Sequence, residues 1–181
     1  MALLHYKHQV KTFFQNVLTL WLVRQEGIVS CTALAASPVG TSCGGGVVAY
    51  VSGAGGLIAA TSDQSTSATW GCYGTAISGA TAIGTGHQNT HDMTAAGCTA
   101  AGIANAYAGG GYTDWFIPSK DELNQLYLNR VAIGGFNTYS YWSSSESGAS
   151  NAWYQVFVNG TLGTSSYVKG SGLYVRAVRV F

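Results

Sequence analysis

The sequence predicts a single α+β domain, and three observations lead to this fold class. The chain has 181 residues, which is enough to bury one hydrophobic core. It is 47% hydrophobic and holds 25 glycines, a combination typical of a packed body with many tight turns. A helix-start motif near residue 119 lies between apolar runs whose length and alternation predict strands.

The charge balance excludes several classes of protein. Eight Lys and Arg against seven Asp and Glu give a net charge of +1, far from the basic surface that nucleic-acid binding requires. The apolar content excludes a disordered chain. The glycine triplets at 44–46 and 109–111 lack the spacing of phosphate- or dinucleotide-binding loops, so no cofactor is expected.

The N-terminal segment carries an apolar seam. Apolar residues recur there at spacings of three and four, which predicts an amphipathic helix over residues 3–23. They are Leu3, Tyr6, Val10, Phe13, Val17 and Leu20. The alternative is a secretory signal peptide cleaved after Ala33 or Ala35. The stretch is too short for an ordinary membrane span, and no later segment approaches one.

Four cysteines, Cys31, Cys43, Cys72 and Cys98, show neither C-x-x-C spacing nor a nearby histidine pair, which disfavours zinc. Two alternatives stay open, namely disulfides (Cys31–Cys43 or Cys72–Cys98) and buried free thiols. A Cys72–Cys98 bridge would stabilise the fold by about 3 kcal/mol in the chain-entropy model.

The first half of the body is predicted to be a hairpin followed by a loop and a helix. Apolar runs at 47–51 and 57–60 flank a glycine-rich connection and predict a β-hairpin. Residues 61–92 hold turn formers throughout and predict an ordered, irregular loop. The alanine-rich segment 94–107, which ends before a glycine triplet, predicts a helix.

The second half begins with the clearest local signal. Ser119 and Glu122 have the spacing of a capping box and predict a helix over 119–130. Strands follow from residue 139, with Asn159 and Gly160 as a turn after the run 152–158. A final strand is predicted over 173–181.

Catalytic and metal-binding patterns are weak. His87 and His91, next to Asp92, would share one face of a helix and could bind a metal, but nearby glycines favour a polar loop. No G-x-S-x-G motif nominates a nucleophile, and capping accounts for Asp121 and Glu122. We therefore expect neither a metal site nor an enzyme.

Four segments together resemble a known family. They are GGGVVAYV at 44–51, DQST with WGCYGT at 63–75, GYTDWFIPSKDELN at 111–124, and YWSSSE at 141–146 with YVRAVR at 174–179. They are similar to a domain family of unknown function in bacterial and phage surface proteins that includes the C-terminal domain of collagen-like proteins. The resemblance extends to the variable proteins of diversity-generating retroelements and implies a C-type lectin fold with two helices and a twisted antiparallel β region.

The resemblance implies the domain organisation and the function. Residues 1–43 would be an N-terminal helix and linker, and 44–181 a ligand-binding domain with a variable region at about 141–181. Such a protein would recognise a protein or cell-surface ligand from a virion or cell surface. The alternative is an adhesin or envelope module of fixed sequence, and residues 3–23 could form a homo-oligomer. Calcium-dependent sugar binding is not expected, because the Glu-Pro-Asn and Gln-Pro-Asp triplets are missing.

The candidate binding residues come from the resemblance together with strand alternation. In 152–158, Trp153 and Phe157 alternate with Tyr154, Val156 and Val158, so the last three face outward if the first two pack inward. A sheet buried on both faces is the alternative. Trp142, Trp153 and Arg176 are interpreted as scaffold, with Arg176 snorkelling. The candidates are Gly148, Ser150, Tyr154, Val156, Val158, Thr161, Thr164, Ser165, Ser166, Val168, Gly170, Ser171 and Leu173.

Overall fold

Two β-sheets and a set of short helices form the part of the chain that the computed structural model describes. The described residues are 31, 38–53, 55–77, 79–161 and 167–181. The fold class is α+β, as predicted. The predicted N-terminal helix over 3–23 and the alternative cleavage sites at Ala33 and Ala35 lie outside the described residues.

The strands divide between a four-stranded and a five-stranded sheet. They are β1 (Ser42–Cys43), β2 (Gly46–Ser52), β3 (Gly55–Ala59), β4 (Ser65–Thr69), β5 (Ser140–Gly148), β6 (Asn151–Val156), β7 (Tyr167–Val168), β8 (Gly172–Val175) and β9 (Val178–Val180). The first sheet has the order β1-β2-β3-β9 and the second β4-β8-β5-β6-β7. Pairing is antiparallel except between β5 and β8. The predicted hairpin is β2–β3, turning at Gly53 with φ of +61°.

The predicted final strand over 173–181 is wrong as one element. It divides into β8 and β9, which belong to different sheets. Arg176 and Ala177 leave the ladder between them, and the Arg176 side chain is buried. Its guanidinium pairs with the Asp63 carboxylate at 2.7 Å and donates to the carbonyls of Ala60 and Gly135. The expected snorkelling of Arg176 is therefore also wrong, because buried acceptors replace water around the guanidinium.

The described helices are α1 (Gly86–Ala95), α2 (Thr99–Asn105), α3 (Lys120–Leu128) and α4 (Arg130–Ile133). The predicted helix over 94–107 is interrupted, since the chain turns at Gly97 (φ +76°) between α1 and α2. The predicted irregular loop over 61–92 is also wrong in part, because β4 and most of α1 lie within it. Polar residues concealed α1: buried Asn89 donates to the Ala80 carbonyl at 2.7 Å, and buried Thr90 to the Gly86 carbonyl at 2.8 Å.

Helix α3 begins with the predicted capping box. The Ser119 hydroxyl accepts from the Glu122 backbone N–H at 3.3 Å, and the Glu122 carboxylate accepts from the Ser119 N–H at 2.7 Å. The second Glu122 oxygen accepts from the Gly84 N–H at 2.8 Å, so this carboxylate joins α3 to the segment before α1. Burial raises the pKa of Glu122.

The core of the described residues has two parts, and strands of both sheets contribute to each. Trp70, Trp115 and Trp142 dominate one part, and the Trp142 indole donates to the Ala68 carbonyl at 2.8 Å. The other part lies beneath α3 and contains Phe116, Leu123, Leu126, Tyr141 and Phe157.

Both cysteine pairs are disulfides, Cys31–Cys43 and Cys72–Cys98, which excludes the free-thiol alternative. Strand β1 precedes residue 44 and pairs with β2.

Candidate ligand-binding surface

Strand β7 forms one edge of the five-stranded sheet. It pairs with β6, where Tyr167 lies opposite Ala152 and Val168 opposite Asn151. Strand β6 in turn pairs with the long central strand β5. An edge strand presents unpaired backbone donors and acceptors as well as side chains, so it can contact a partner in two ways.

One face of β6 packs toward helix α3, as the alternation predicts. Phe157, which follows the strand, is buried and makes an edge contact with the Tyr127 ring at 5.6 Å. Buried Gln155 donates to the Asn124 side chain at 3.0 Å. Trp153 is only half-buried, and the Lys120 ammonium lies over it, 5.1 Å from the centre of the Trp153 ring. The inward prediction is therefore confirmed for Phe157 and only in part for Trp153.

The opposite face changes from buried to exposed along the strand. Tyr154 and Val156 are half-buried, and the Tyr154 ring packs edge-on against Tyr167 with centres 5.0 Å apart. Val158, in the turn after β6, is 62% exposed. The outward prediction holds for Val158, whereas the middle of the strand is partly covered on both faces.

The remaining candidates differ in exposure. The exposed candidates are Gly148, Val158, Thr161, Val168 and Gly170, and the half-buried ones are Ser150, Tyr154, Val156 and Ser171. Leu173 is a correction, because it is buried in the core and is not available to a ligand. Thr164, Ser165 and Ser166 lie outside the described residues.

Two exposed tyrosines of this region are not among the predicted binding residues. Tyr167 is 42% exposed and covers Tyr154. Tyr139 is exposed just before β5 and stacks on Tyr174 with ring centres 5.4 Å apart. The signal available for Tyr167 was its position beside the predicted candidate Val168. We define the edge surface as the exposed residues around β6 and β7: Gly148, Val158, Thr161, Tyr167, Val168 and Gly170.

A buried ion pair fixes the edge surface to the body. The Lys169 ammonium lies 2.7 Å from the Glu146 carboxylate, donates to the Thr75 carbonyl at 2.9 Å, and lies 4.4 Å from the centre of the Trp70 ring. The same Glu146 oxygen accepts from the Ile77 N–H at 2.9 Å. These contacts tie β7, the end of β5 and the loop after Trp70 together, so the backbone around the exposed residues is held by buried groups.

A groove of about 270 Å³ lies elsewhere, between α1 and residues 113–116. His87 and His91 border it and lie on α1, so the predicted polar loop around them is wrong. The Arg179 guanidinium binds both oxygens of Asp114 at 2.7 and 2.8 Å and lowers the pKa of that carboxyl. No group of three or more His, Cys, Asp or Glu residues that could hold a metal ion occurs in the described ranges.

The described residues thus form a disulfide-bonded α+β module with an exposed sheet edge. A family model described as the Lcl C-terminal domain matches residues 59–179, more than half of the chain, and the chain belongs to this family. None of the helices in the described parts of the chain is long and apolar enough to cross a membrane.

A solved structure shares the fold. It is described as a fimbrial protein from Bacteroides ovatus, with a TM-score of 0.52 and 14% sequence identity. The match covers 80% of this chain but 45% of the fimbrial protein, so the chain corresponds to less than half of that structure. No curated protein matches the sequence.

Proposed function

We propose that this chain is a ligand-binding module of a virion or bacterial cell surface and that it recognises a protein or cell-surface ligand through the edge surface. The observation that carries the proposal is the exposure of Val158, Tyr167 and Val168, at 62%, 42% and 48%, around the outermost strand of the sheet that the described residues form. Grouped exposed apolar side chains commonly mark interaction surfaces. Tyrosine adds contact area at a low cost in conformational entropy.

Two observations support a location outside the cytoplasm. Both disulfides join buried or partly buried parts of the fold, and stable disulfides are typical of oxidising compartments. The structural neighbour is described as a fimbrial protein. The family membership, as the sequence resemblance interprets it, agrees with a surface protein.

At a finer level, we propose a C-type lectin fold whose exposed residues are rewritten by a diversity-generating retroelement. The support is the separation of exposed and stabilising groups within residues 141–181. The buried residues that stabilise the fold include Lys169, Arg176 and Trp142. The exposed residues Gly148, Thr161 and Gly170 take little part in its packing. A surface that accepts many sequences needs this separation.

An adhesin of fixed sequence is the alternative, and the fimbrial neighbour favours it. The genomic locus distinguishes the two: diversification requires a near-identical repeat of the coding segment for about residues 141–181 beside a reverse transcriptase gene. A locus without that repeat would contradict diversification and support the adhesin of fixed sequence. In both cases the module binds its ligand without altering it chemically.

The binding proposal can be tested with fluorescently labelled full-length protein and a panel of intact bacterial cells, measured by flow cytometry. Serine substitution of Val158, Tyr167 and Val168 should abolish labelling of any cell type that the unchanged protein labels. The matched control is serine substitution of three other exposed apolar residues, Ile83, Leu128 and Val131. Equal loss in both variants, or loss in neither, would contradict the proposed surface.

We also propose that residues 3–23 mediate self-association, on the basis of their apolar seam. Sizing the full chain against a chain shortened to begin at Ser30, which keeps the Cys31–Cys43 disulfide, tests this. Identical monomeric sizes for the two would contradict the oligomer.

A further inference from the structure

Helix α1 presents two histidines to the same groove. His87 and His91 are four residues apart on this ten-residue helix, which places their Cβ atoms about 5–6 Å apart on one face. Both side chains are exposed, and both border the groove of about 270 Å³ beside residues 113–116. The two imidazoles therefore open onto one space.

Neighbouring side chains orient both rings. The His87 ring meets buried Phe116 edge-on, with centres 5.5 Å apart. The His91 Nδ1 lies 3.4 Å from the Asp92 carboxylate, which also accepts from the Gln88 amide at 2.8 Å. The Gln88 amide nitrogen lies 3.5 Å from the same Nδ1, so this nitrogen faces both a donor and a carboxylate. When Nδ1 donates to the carboxylate, the Nε2 lone pair is free, which is the arrangement typical of histidines that bind metals.

The described residues that border the groove offer no third strong metal ligand. Asp114 borders it, but both of its oxygens bind the Arg179 guanidinium. The groove is also bordered by Thr90, Thr94 and Asn105. Their side-chain oxygens are uncharged and bind metal ions weakly. Two imidazoles suit Cu²⁺, Ni²⁺ and Zn²⁺, whereas Ca²⁺ and Mg²⁺ require several oxygen ligands.

We propose that His87 and His91 form a two-histidine binding site for Cu²⁺, Ni²⁺ or Zn²⁺, with water in the remaining coordination positions. This site is separate from the edge surface and does not depend on the function proposed for it. All four cysteines are in disulfides and do not compete for the ion as thiolates.

Calorimetric titration of the full chain with NiCl₂ tests the site. The chain has two other histidines, His5 and His8, so the reference protein is the variant H5A/H8A. This reference should bind one equivalent of Ni²⁺ and should not bind Ca²⁺. Removing an outer-shell partner of a metal ligand typically weakens binding about 10- to 100-fold. Asp92→Asn in the reference should therefore weaken binding at least about tenfold, and His87→Ala or His91→Ala should weaken it further.

The fold of each variant is checked by near-UV circular dichroism. His91 has an exposed side chain, so its removal should leave the spectrum unchanged even where loss of the His87–Phe116 contact alters it. Failure of the reference to bind Ni²⁺, or unchanged affinity in the His91→Ala variant, would overturn the site.

Discussion

The centre and the edge of the five-stranded sheet use charge and burial in opposite ways. At the centre, Arg176 follows β8 and is buried against Asp63, which also accepts from the Tyr141 hydroxyl at 3.0 Å. At the edge, β7 and the turn after β6 expose Tyr167, Val168 and Val158. Because buried charge requires partners in fixed positions, the centre tolerates little change, whereas exposed side chains are constrained far less.

The edge nevertheless has its own buried anchor. Lys169 lies directly after the exposed pair of β7, and its ammonium is buried against Glu146 and Trp70. A buried contact of this kind holds the backbone in place and leaves the adjacent side chains exposed. Buried charges and aromatic rings therefore hold the C-terminal region, whereas its exposed side chains take little part in packing.

The largest expected effect follows substitution of Arg176. Arg176→Met would leave the Asp63 carboxylate buried without its guanidinium, and should lower the free energy of unfolding by about 3–5 kcal/mol. Guanidinium chloride denaturation of the intact protein measures this. The matched control is Arg179→Met, which breaks the pair with half-exposed Asp114 and should cost about 1 kcal/mol or less. Equal losses in the two variants would remove the contrast between the buried pair and the pair with a half-exposed carboxylate.

A smaller effect is expected from the disulfide beside α1 and α2. Replacing Cys72 and Cys98 together by serine opens a loop with a sequence separation of 26 and should lower the free energy of unfolding by about 3 kcal/mol. The midpoint of thermal unfolding should fall accordingly. An unchanged midpoint would show that packing around Trp70 holds this segment without the disulfide.

The next effect is a pH dependence from Glu122. Its pKa is higher in the folded state because of burial, so the folded protein binds this proton more tightly than the unfolded chain does. The resulting stability is fully present below the ordinary pKa of 4.5 and is lost as the pH rises through the folded-state pKa. Thermal unfolding across this window should show a smaller decline in Glu122→Gln than in the unchanged protein. The same decline in both would assign it to another group.

Local sequence signals predicted the elements whose stabilising contacts are themselves local. The capping box of α3 and the β2–β3 hairpin need only neighbouring residues, and both are confirmed. Helix α1 was missed because buried Asn89 and Thr90 bond to Ala80 and Ile117, which lie outside the helix and are invisible in its local pattern.

The candidate surface shows the same limit. Alternation correctly predicted buried Phe157 and exposed Val158, which follow one another directly after β6. It could not reveal that Leu173 faces the core, because that depends on the pairing of β8 with β4. Nor could it divide residues 173–181 between two sheets, since the break at Arg176 depends on the distant partner Asp63.

The most direct test of the central claim is the stability of a protein whose edge surface is altered. We expect serine at Val158, Tyr167 and Val168 together to lower the free energy of unfolding by about 1.5 kcal/mol or less, because exposed substitutions typically cost about 0.5 kcal/mol each. Denaturation with guanidinium chloride, under the conditions used for Arg176→Met, gives the value. A loss of about 3 kcal/mol or more, equal to that of a buried charge, would contradict the separation of folding from recognition.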